Sequence, residues 1–217
     1  APSEAVAELT IGLMISSMRG INQTNAAMKI GDWDRYMGVS FSDLNIGLIG
    51  FGRIGKLVAK HLSSFCPKSI LVNDVVELKE SAGLGLTPSS KEQIYETCDM
   101  ISLHLPLTAD TLNLIGDEEL SRMKDGVRII NTARGGIINE DALCRFLTSG
   151  HVAAAALDTF SEEPYVGPLT GLANAINTAH IGAMTRASRA DMEISATEEV
   201  LRFIEGADLR SEIPTYI

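Results

Sequence analysis

Length, composition and charge narrow the classes of protein to which this chain can belong. Its 217 residues are 45% hydrophobic and 21% charged, values that are ordinary for a globular chain with a full core and that exclude wholesale disorder. The 18 Lys and Arg residues stand against 28 Asp and Glu, for a net charge of −10. A nucleic acid or an anionic membrane bound through a general basic surface is therefore not expected as a partner, and any anionic ligand must be bound locally.

Cysteine usage and hydropathy indicate the compartment. Cys66, Cys98 and Cys144 are widely spaced and form no CxxC pair, which excludes a disulfide scaffold and a Cys-rich zinc site. No metal site is predicted. The apolar runs are far shorter than the roughly 18–20 residues that cross a bilayer, and no signal peptide is visible. We expect a cytoplasmic protein with no membrane partner.

The N-terminal segment is predicted to be helical. Ser3 is a good N-cap residue, and residues 5–18 are apolar on nearly all sides, as in a buried helix. Gly20 ends this helix, and a second helix is predicted over residues 24–30. A mixed connector, residues 33–43, follows.

Short apolar runs alternate with helical stretches from Asn45 onward. Strands are predicted at 46–49, 69–72, 100–103, 127–130, 152–157 and 175–178, and helices at 56–65, 92–97, 118–123, 141–149 and 188–204. This alternation implies parallel strands with helices on both faces. The sequence therefore predicts an α/β domain, a Rossmann-type doubly wound parallel sheet with an N-terminal helical lead-in.

A glycine-rich loop follows the first predicted strand and opens a helix. Residues 50–55 read GFGRIG and match the pattern G-x-G-x-x-G. Gly50 would permit the tight turn, Gly52 would let a pyrophosphate approach the backbone, and Gly55 would let the helix pack close to the strand. The N-terminus of that helix offers unpaired N–H groups to phosphates. The pattern predicts a dinucleotide site.

An acidic residue refines the cofactor prediction. The loop also nearly matches GxxxxGK, but Leu57 stands where Mg²⁺ coordination needs Ser or Thr, so a P-loop nucleotidase is disfavoured. Asp74 ends the second predicted strand about 20 residues beyond Gly55, where a dinucleotide fold places the carboxylate that binds the ribose hydroxyls. This carboxylate would repel a 2′-phosphate, and neither Val75 nor Val76 supplies a cation, so NAD is favoured over NADP. The alternative is a solvated Asp that ends a strand.

Four later segments carry a family resemblance. They are SLHLPLT at 102–108, NTARGG at 131–136, ALDTFSEEP at 156–164 and NTAHIGAMT at 177–185. With the glycine loop, and in this order, they resemble the D-isomer-specific 2-hydroxyacid dehydrogenases, a family that includes 3-phosphoglycerate dehydrogenase. The resemblance runs from about residue 3 to residue 206.

This resemblance implies an NAD-dependent oxidoreductase that interconverts a D-2-hydroxy acid and its 2-keto acid. His180 would be the acid/base, Glu163 its partner, and Arg134 the group that binds the substrate carboxylate and carbonyl. The chemistry agrees, because a histidine with an ordinary pKa of about 6.5 serves both directions of such a reaction. A guanidinium pairs with a carboxylate in a planar fork. The alternative for Arg134 is a surface cation, for Glu163 an exposed acid, and for His180 a packed or exposed histidine.

The resemblance also implies the remaining cofactor contacts. Besides Gly50, Gly52, Gly55 and Asp74, they are Arg53 and Ile54 over the pyrophosphate, Leu105 and Pro106 on the adenosine side, Thr132, Ala133 and Arg134 near the nicotinamide, Asp158 at its carboxamide, and His180, Ile181 and Gly182 at the far end. Two residues depart from the family pattern, since Thr159 replaces a more usual Val and Ala179 a common Pro.

Two other functions on this fold stay open. A corepressor of the C-terminal-binding-protein type would retain the same Arg, Glu and His, whereas a formate dehydrogenase is expected to replace Glu163 by a different polar partner. The resemblance further implies a homodimer through the cofactor domain and a crossing and dimerisation helix at 3–18. It places the NAD-binding domain at 1–206 and a tail at 207–217 that returns toward a substrate domain absent from this chain. We expect such a chain to bind NAD but to turn over little or nothing alone.

Overall fold

A seven-stranded sheet organises the chain, of which the computed structural model describes residues 2–76 and 85–210. The strands are β1 (Asn45–Ile49), β2 (Ser69–Asn73), β3 (Leu86–Pro88), β4 (Met100–Leu103), β5 (Val127–Asn131), β6 (Val152–Leu157) and β7 (Ala175–Asn177). Their order across the sheet is β3-β2-β1-β4-β5-β6-β7, and every neighbouring pair is parallel. The predicted Rossmann-type fold is confirmed. The chain direction across the sheet reverses at β1, the switch point where such folds bind ligands.

The helices follow the predicted pattern with shifted ends. They are α1 (Ser3–Arg19), α2 (Ile21–Lys29), α3 (Arg53–Ser63), α4 (Lys91–Thr97), α5 (Asp117–Arg122), α6 (Glu140–Ser149) and α7 (Arg186–Ile204). The predicted Ser3 cap is wrong, because Ser3 lies inside the first turn and the N-cap residue is Pro2. Strand β3 was not predicted, since it has three residues and ends in a proline, which a sheet tolerates at its edge.

Two hydrophobic cores lie on opposite faces of the sheet. Helices α1 and α3 pack together on one face, and α4, α5 and α6 cover the other. The largest fully buried side chains come from both layers and from the strands between them, among them Met14, Ile46, Leu62, Ile94, Leu103 and Leu120. The helices thus cover both faces, as the alternating sequence pattern predicts.

The first and last helices differ in burial. The predicted burial of α1 is confirmed, because its exposed residues are confined to Glu4, Glu8, Gly12 and Arg19. Helix α7 has no buried residue. The predicted tail at 207–217 is described only as far as residue 210, so most of it lies outside the described residues. Within the part of the chain that the structure describes, every helix is too short or too polar to cross a membrane.

Candidate functional site

The predicted site residues all lie at one edge of the sheet. Each follows the carboxyl end of a strand: residues 50–55 follow β1, Asp74 follows β2, Leu105 and Pro106 follow β4, residues 132–134 follow β5, Asp158 and Glu163 follow β6, and residues 180–182 follow β7. Parallel strands bring their carboxyl ends together, and open α/β sheets bind ligands in the crevice at this edge. Residues dispersed over more than half of the chain therefore come to the same edge of the sheet.

The three glycines of the glycine loop differ in how closely other atoms surround them. Gly50 has φ +98°, and a Cβ on it would lie 2.4 Å from the carbonyl oxygen of His104. A Cβ on Gly55 would lie 2.3 Å from the carbonyl oxygen of Gly50. A Cβ on Gly52, by contrast, would meet no atom within 4 Å. Gly50 and Gly55 serve close packing inside the loop, and Gly52 faces open space at the N-terminus of α3, which fits the approach of a pyrophosphate.

The Asp74 carboxylate holds the glycine loop to the end of β2. Its Oδ2 accepts the N–H of Phe51 and its Oδ1 accepts the N–H of Val76 at 2.9 Å. A carboxylate offers about four acceptor positions, so capacity remains for the hydroxyls of a ribose. Val75 is fully exposed and Val76 is 69% exposed, and neither carries a positive charge for a 2′-phosphate. These residues fit NAD.

A histidine supports the glycine loop from the neighbouring strand. The backbone N–H of His104 donates to the carbonyl of Ile49 at 2.7 Å. The His104 ring Nε2 shares a 3.0 Å hydrogen bond with the hydroxyl of buried Ser102. Burial lowers the pKa of His104 to about 4, so that the ring is neutral at neutral pH. This arrangement gives His104 a structural role beneath the loop.

The loop after β5, which carries Arg134, is folded around a buried amide. Asn131 accepts the N–H of Ala133 at 3.0 Å and donates to the carbonyl of Arg134 at 2.9 Å. A Cβ on Gly135 would lie 1.8 Å from the carbonyl oxygen of Phe160, so this loop packs directly against the loop after β6. The side chain of Arg134 is exposed and donates to the Ala133 carbonyl at 2.6 Å. The exposed guanidinium is therefore carried by a backbone that Asn131 holds in place.

The predicted acid/base pair forms a direct hydrogen bond. Nδ1 of His180 lies 2.8 Å from Oε2 of Glu163, and the other carboxylate oxygen accepts the N–H of Phe160 at 3.1 Å. A carboxylate only accepts, so Nδ1 carries the proton and Nε2 is the ring nitrogen left for a substrate. The bond from His180 and then the one from Phe160 lower the pKa of Glu163, and the charge of Arg134 adds to this shift. The side chains of His180 and Glu163 are 50% and 37% exposed, as reacting groups need to be.

Asp158 is enclosed by the loop that carries His180. It is 1% exposed and accepts the Thr178 hydroxyl at 2.6 Å and the N–H groups of Ile181 and Gly182 at 2.8 Å each. Three of its roughly four acceptor positions are thus used within the chain. The structure gives this carboxylate the task of holding the loop that carries His180. A contact with the nicotinamide carboxamide stays a prediction.

A cavity of about 540 Å³ adjoins the Glu163–His180 pair. Its lining includes Glu163 and His180 and the rings of Phe160 and Tyr165, whose centroids are stacked 4.3 Å apart. This volume is within the usual range for small-molecule sites. Within residues 2–76 and 85–210, no cluster of His, Cys, Asp and Glu is arranged to hold a metal ion.

Several residues that shape the site were not predicted. Asn131 and Thr178 hold the loops after β5 and β7, and their signal was their position at or just after the end of a strand. Thr10, in α1, bonds to Thr132 from far away in the sequence. Its signal was a polar residue within the mostly apolar stretch of α1. The contact itself had no local sign.

Comparison with known proteins adds independent findings. The family described as "D-isomer specific 2-hydroxyacid dehydrogenase, NAD binding domain" matches residues 11–182. Human D-3-phosphoglycerate dehydrogenase is 37% identical over 210 residues, which cover 95% of this chain and 39% of that protein. The chain thus spans about two fifths of the length of the curated relatives that it matches.

Two solved structures are similar along nearly the whole chain. A glyoxylate reductase from Paecilomyes thermophila superposes with a TM-score of 0.91 at 34% identity. The superposition covers 98% of this chain and 66% of the reductase chain. A D-lactate dehydrogenase from Aquifex aeolicus, complexed with NAD and lactic acid, has a TM-score of 0.87 at 30% identity, with coverages of 95% and 67%.

Proposed function

We propose that the whole protein interconverts a D-2-hydroxy acid and its 2-keto acid, because this chain belongs to the D-isomer-specific 2-hydroxyacid dehydrogenase family as its NAD-binding domain. The observation that carries the proposal is the 2.8 Å Glu163–His180 pair at the sheet edge that also holds Arg134 and the glycine loop. These groups supply the proton transfer, the anion binding and the cofactor site that the reaction requires.

The chain's own residues account for the polar part of the chemistry. The glycine loop at 50–55 and Asp74 would hold the cofactor, whose nicotinamide would supply the redox chemistry, as hydride acceptor when oxidised and as hydride donor when reduced. Nε2 of His180 removes the hydroxyl proton during oxidation and returns a proton to the carbonyl oxygen during reduction. Glu163 accepts a hydrogen bond from Nδ1–H of His180. This bond fixes the orientation of the ring and stabilises the protonated form of the histidine. Arg134 pairs with the substrate carboxylate.

The test is NADH oxidation by the full-length protein with glyoxylate, pyruvate and the 2-keto acid of 3-phosphoglycerate. We expect His180→Gln to lower kcat about 10³-fold and to leave the Kd for NADH within about twofold. His61→Gln, on α3 and outside the site, is the matched control. Unchanged turnover in His180→Gln would refute the mechanism, and no turnover of any 2-keto acid by the unaltered protein would refute the function.

The same assay addresses the two alternatives. A formate dehydrogenase would reduce NAD with formate, whereas the Glu163–His180 pair predicts no such activity. A corepressor would bind NADH without substantial turnover. We also expect NADH to bind at least tenfold more tightly than NADPH, because Asp74 repels a 2′-phosphate. Equal affinities would contradict that preference.

We propose in addition that the protein forms a homodimer through this domain. The apolar side chains of α1 are buried or partly buried within the chain, but the connector after α2 exposes Ile30, Trp33 and Met37 to 83%, 71% and 91%. Exposed apolar side chains of this size support a protein contact. Sedimentation is expected to give a dimer that Trp33→Ser weakens, and a monomeric unaltered protein would contradict the proposal.

We propose a cytoplasmic location on the basis of the cysteines. Cys66 is exposed, Cys98 is buried and Cys144 is partly buried, and all three are free thiols, as is usual where glutathione keeps thiols reduced. Cell fractionation with an antibody to the protein tests this. Recovery in a membrane or secreted fraction would contradict it.

A further inference from the structure

Helix α1 contacts both loops that carry the reacting residues. Thr10, on this helix, lies with its Oγ1 2.8 Å from Oγ1 of Thr132, which opens the loop of Arg134. One turn earlier, Val6 packs on the loop of His180, since a Cβ on Gly182 would lie 3.3 Å from Cγ2 of Val6. Residues four apart share a helix face. A single face of α1 therefore backs both loops.

The direction of the Thr10–Thr132 bond follows from counting hydrogens. Thr10 has one hydroxyl proton and donates it to the carbonyl of Val6 at 2.8 Å. The 2.8 Å contact with Thr132 is then a hydrogen bond only if Thr132 is the donor. Thr10 is 0% and Thr132 is 6% exposed, so water does not compete effectively for this bond. The hydroxyl of Thr132 is fixed in direction as well as in place.

Thr10 makes one more hydrogen bond than it needs to satisfy its hydroxyl proton within the helix. Ser17, also buried in α1, donates to the Met14 carbonyl at 2.8 Å and makes no bond to a catalytic loop in the described structure. Thr10 meets the same need through Val6 and additionally accepts from Thr132. Because Asn131 ties Ala133 and Arg134 into one folded loop, holding Thr132 restrains the whole loop.

We propose that Thr10 is a positioning residue for cofactor and substrate binding. Its hydroxyl holds Thr132, and thereby the backbone of Arg134, against the helix that also backs the loop of His180. This role rests on the proposed function, because it presumes that Arg134 binds the substrate carboxylate. It gives a reason for the burial of this hydroxyl beside the loop of Arg134.

The experiment compares three variants of the full-length protein. Thr10→Val removes the hydroxyl at nearly constant volume, Thr10→Ser retains it, and Ser17→Ala removes a buried hydroxyl that contacts neither loop. The loss of one hydrogen bond corresponds to about a fivefold change in an equilibrium constant. We expect Thr10→Val to raise both the Kd for NADH and the KM for the 2-keto acid about fivefold. Its kcat is expected to stay within about twofold, because the Glu163–His180 pair is untouched.

The two other variants separate positioning from mere stability. Thr10→Ser is expected to restore both constants to within about twofold of the unaltered protein, while Ser17→Ala lowers the melting temperature without moving either. Should Thr10→Val not fold, Thr132→Val breaks the same bond from the other side and leaves Thr10 bonded to Val6. It is expected to raise both constants at least as much.

Two distinct outcomes would overturn two distinct claims. If Thr10→Val or Thr132→Val binds NADH and substrate as the unaltered protein does, Thr10 has no positioning role, whatever the function. If the unaltered protein reduces no 2-keto acid, the proposed function fails. The Kd for NADH, which requires no turnover, still decides whether Thr10 positions the cofactor-binding loop.

Discussion

Asp74 and Asp158 both follow strands at the same edge of the sheet, and each accepts two backbone N–H groups. Both donors to Asp158 lie in the loop after β7, whereas Asp74 accepts one N–H from the glycine loop and one from Val76 in its own segment. Asp158 also accepts the Thr178 hydroxyl and is 1% exposed, whereas Asp74 is partly exposed. Asp158 is enclosed and has nearly all of its acceptor positions occupied, whereas Asp74 retains acceptor capacity beside the open space at Gly52. The number of donors and the burial of a strand-end carboxylate, rather than its position, decide whether it shapes the protein or is available to a ligand.

This difference extends to the two halves of the edge. On the β1–β2 side, glycine contacts between backbones form the loop, and the carboxylate is available to a ligand. On the β6–β7 side, a buried carboxylate forms the loop, and half-exposed Glu163 and His180 remain available to react. The two halves thus differ in which side chains are left available at the sheet edge: a strand-end carboxylate beside the glycine loop, and the Glu163–His180 pair on the other side.

The comparison is tested most strongly by the same substitution at both aspartates. We expect Asp158→Asn to lower the free energy of unfolding by about 3 kcal/mol, because the new amide NH₂ faces a buried N–H donor of Ile181 or Gly182. Asp74→Asn should cost less than about 1 kcal/mol but raise the Kd for NADH about tenfold. Urea denaturation and NADH titration measure the two effects. Equal losses of stability would remove the distinction between the two sites.

A pair of glycine substitutions tests how the cofactor half is formed. Gly55→Ala places a Cβ 2.3 Å from a backbone oxygen and is expected to cost about 2–3 kcal/mol of stability. Gly52→Ala meets no atom within 4 Å and should leave stability within about 0.5 kcal/mol. Its methyl group would stand where a pyrophosphate approaches, so the Kd for NADH should rise about tenfold. A Gly52→Ala variant with unaltered affinity would show that the cofactor does not use this space.

The pH dependence of stability tests the support beneath the glycine loop. Burial lowers the pKa of His104 from 6.5 to about 4 in the folded state. Below pH 6.5 the unfolded chain binds the proton first, so the stability that is fully present above pH 6.5 is lost as the pH falls toward 4. Between pH 7 and 5 we expect the unaltered protein to lose about 1–2 kcal/mol more than His104→Gln does. The free energy of unfolding is measured by urea denaturation at each pH. The same pH dependence in both proteins would contradict the burial of this ring.

The smallest expected effect concerns a hydroxyl next to Asp158. Thr159 is 3% exposed and its Oγ1 is buried without a hydrogen-bond partner in the described structure. Thr159→Val removes this unpaired group at constant volume and should stabilise the fold by about 1 kcal/mol. Thr178→Val, which deletes a donor to Asp158, should destabilise it. Thermal unfolding measures both, and a shift of the same sign in the two variants would contradict this distinction.

Local patterns predicted most of the fold and the position of the candidate site. Strand–helix alternation predicted six of the seven parallel strands, and it missed β3, whose three residues are too few to show a period. The glycine loop and the Glu163–His180 pair lie where the motifs indicate. The Ser3 cap was mispredicted because α1 begins one residue earlier, and helix ends depend on tertiary contacts as well as on capping preferences.

The sequence by itself determined the α/β class, the glycine loop and which side chains follow the strands, because these depend on residues that are close together in the chain. The tertiary structure alone decided that Asp158 is enclosed while Asp74 stays available, because burial depends on which loops pack above a strand end. It likewise decided that Thr10 meets Thr132 across 122 residues of sequence. No local period encodes such a contact, since it forms only when the helix and the sheet pack together.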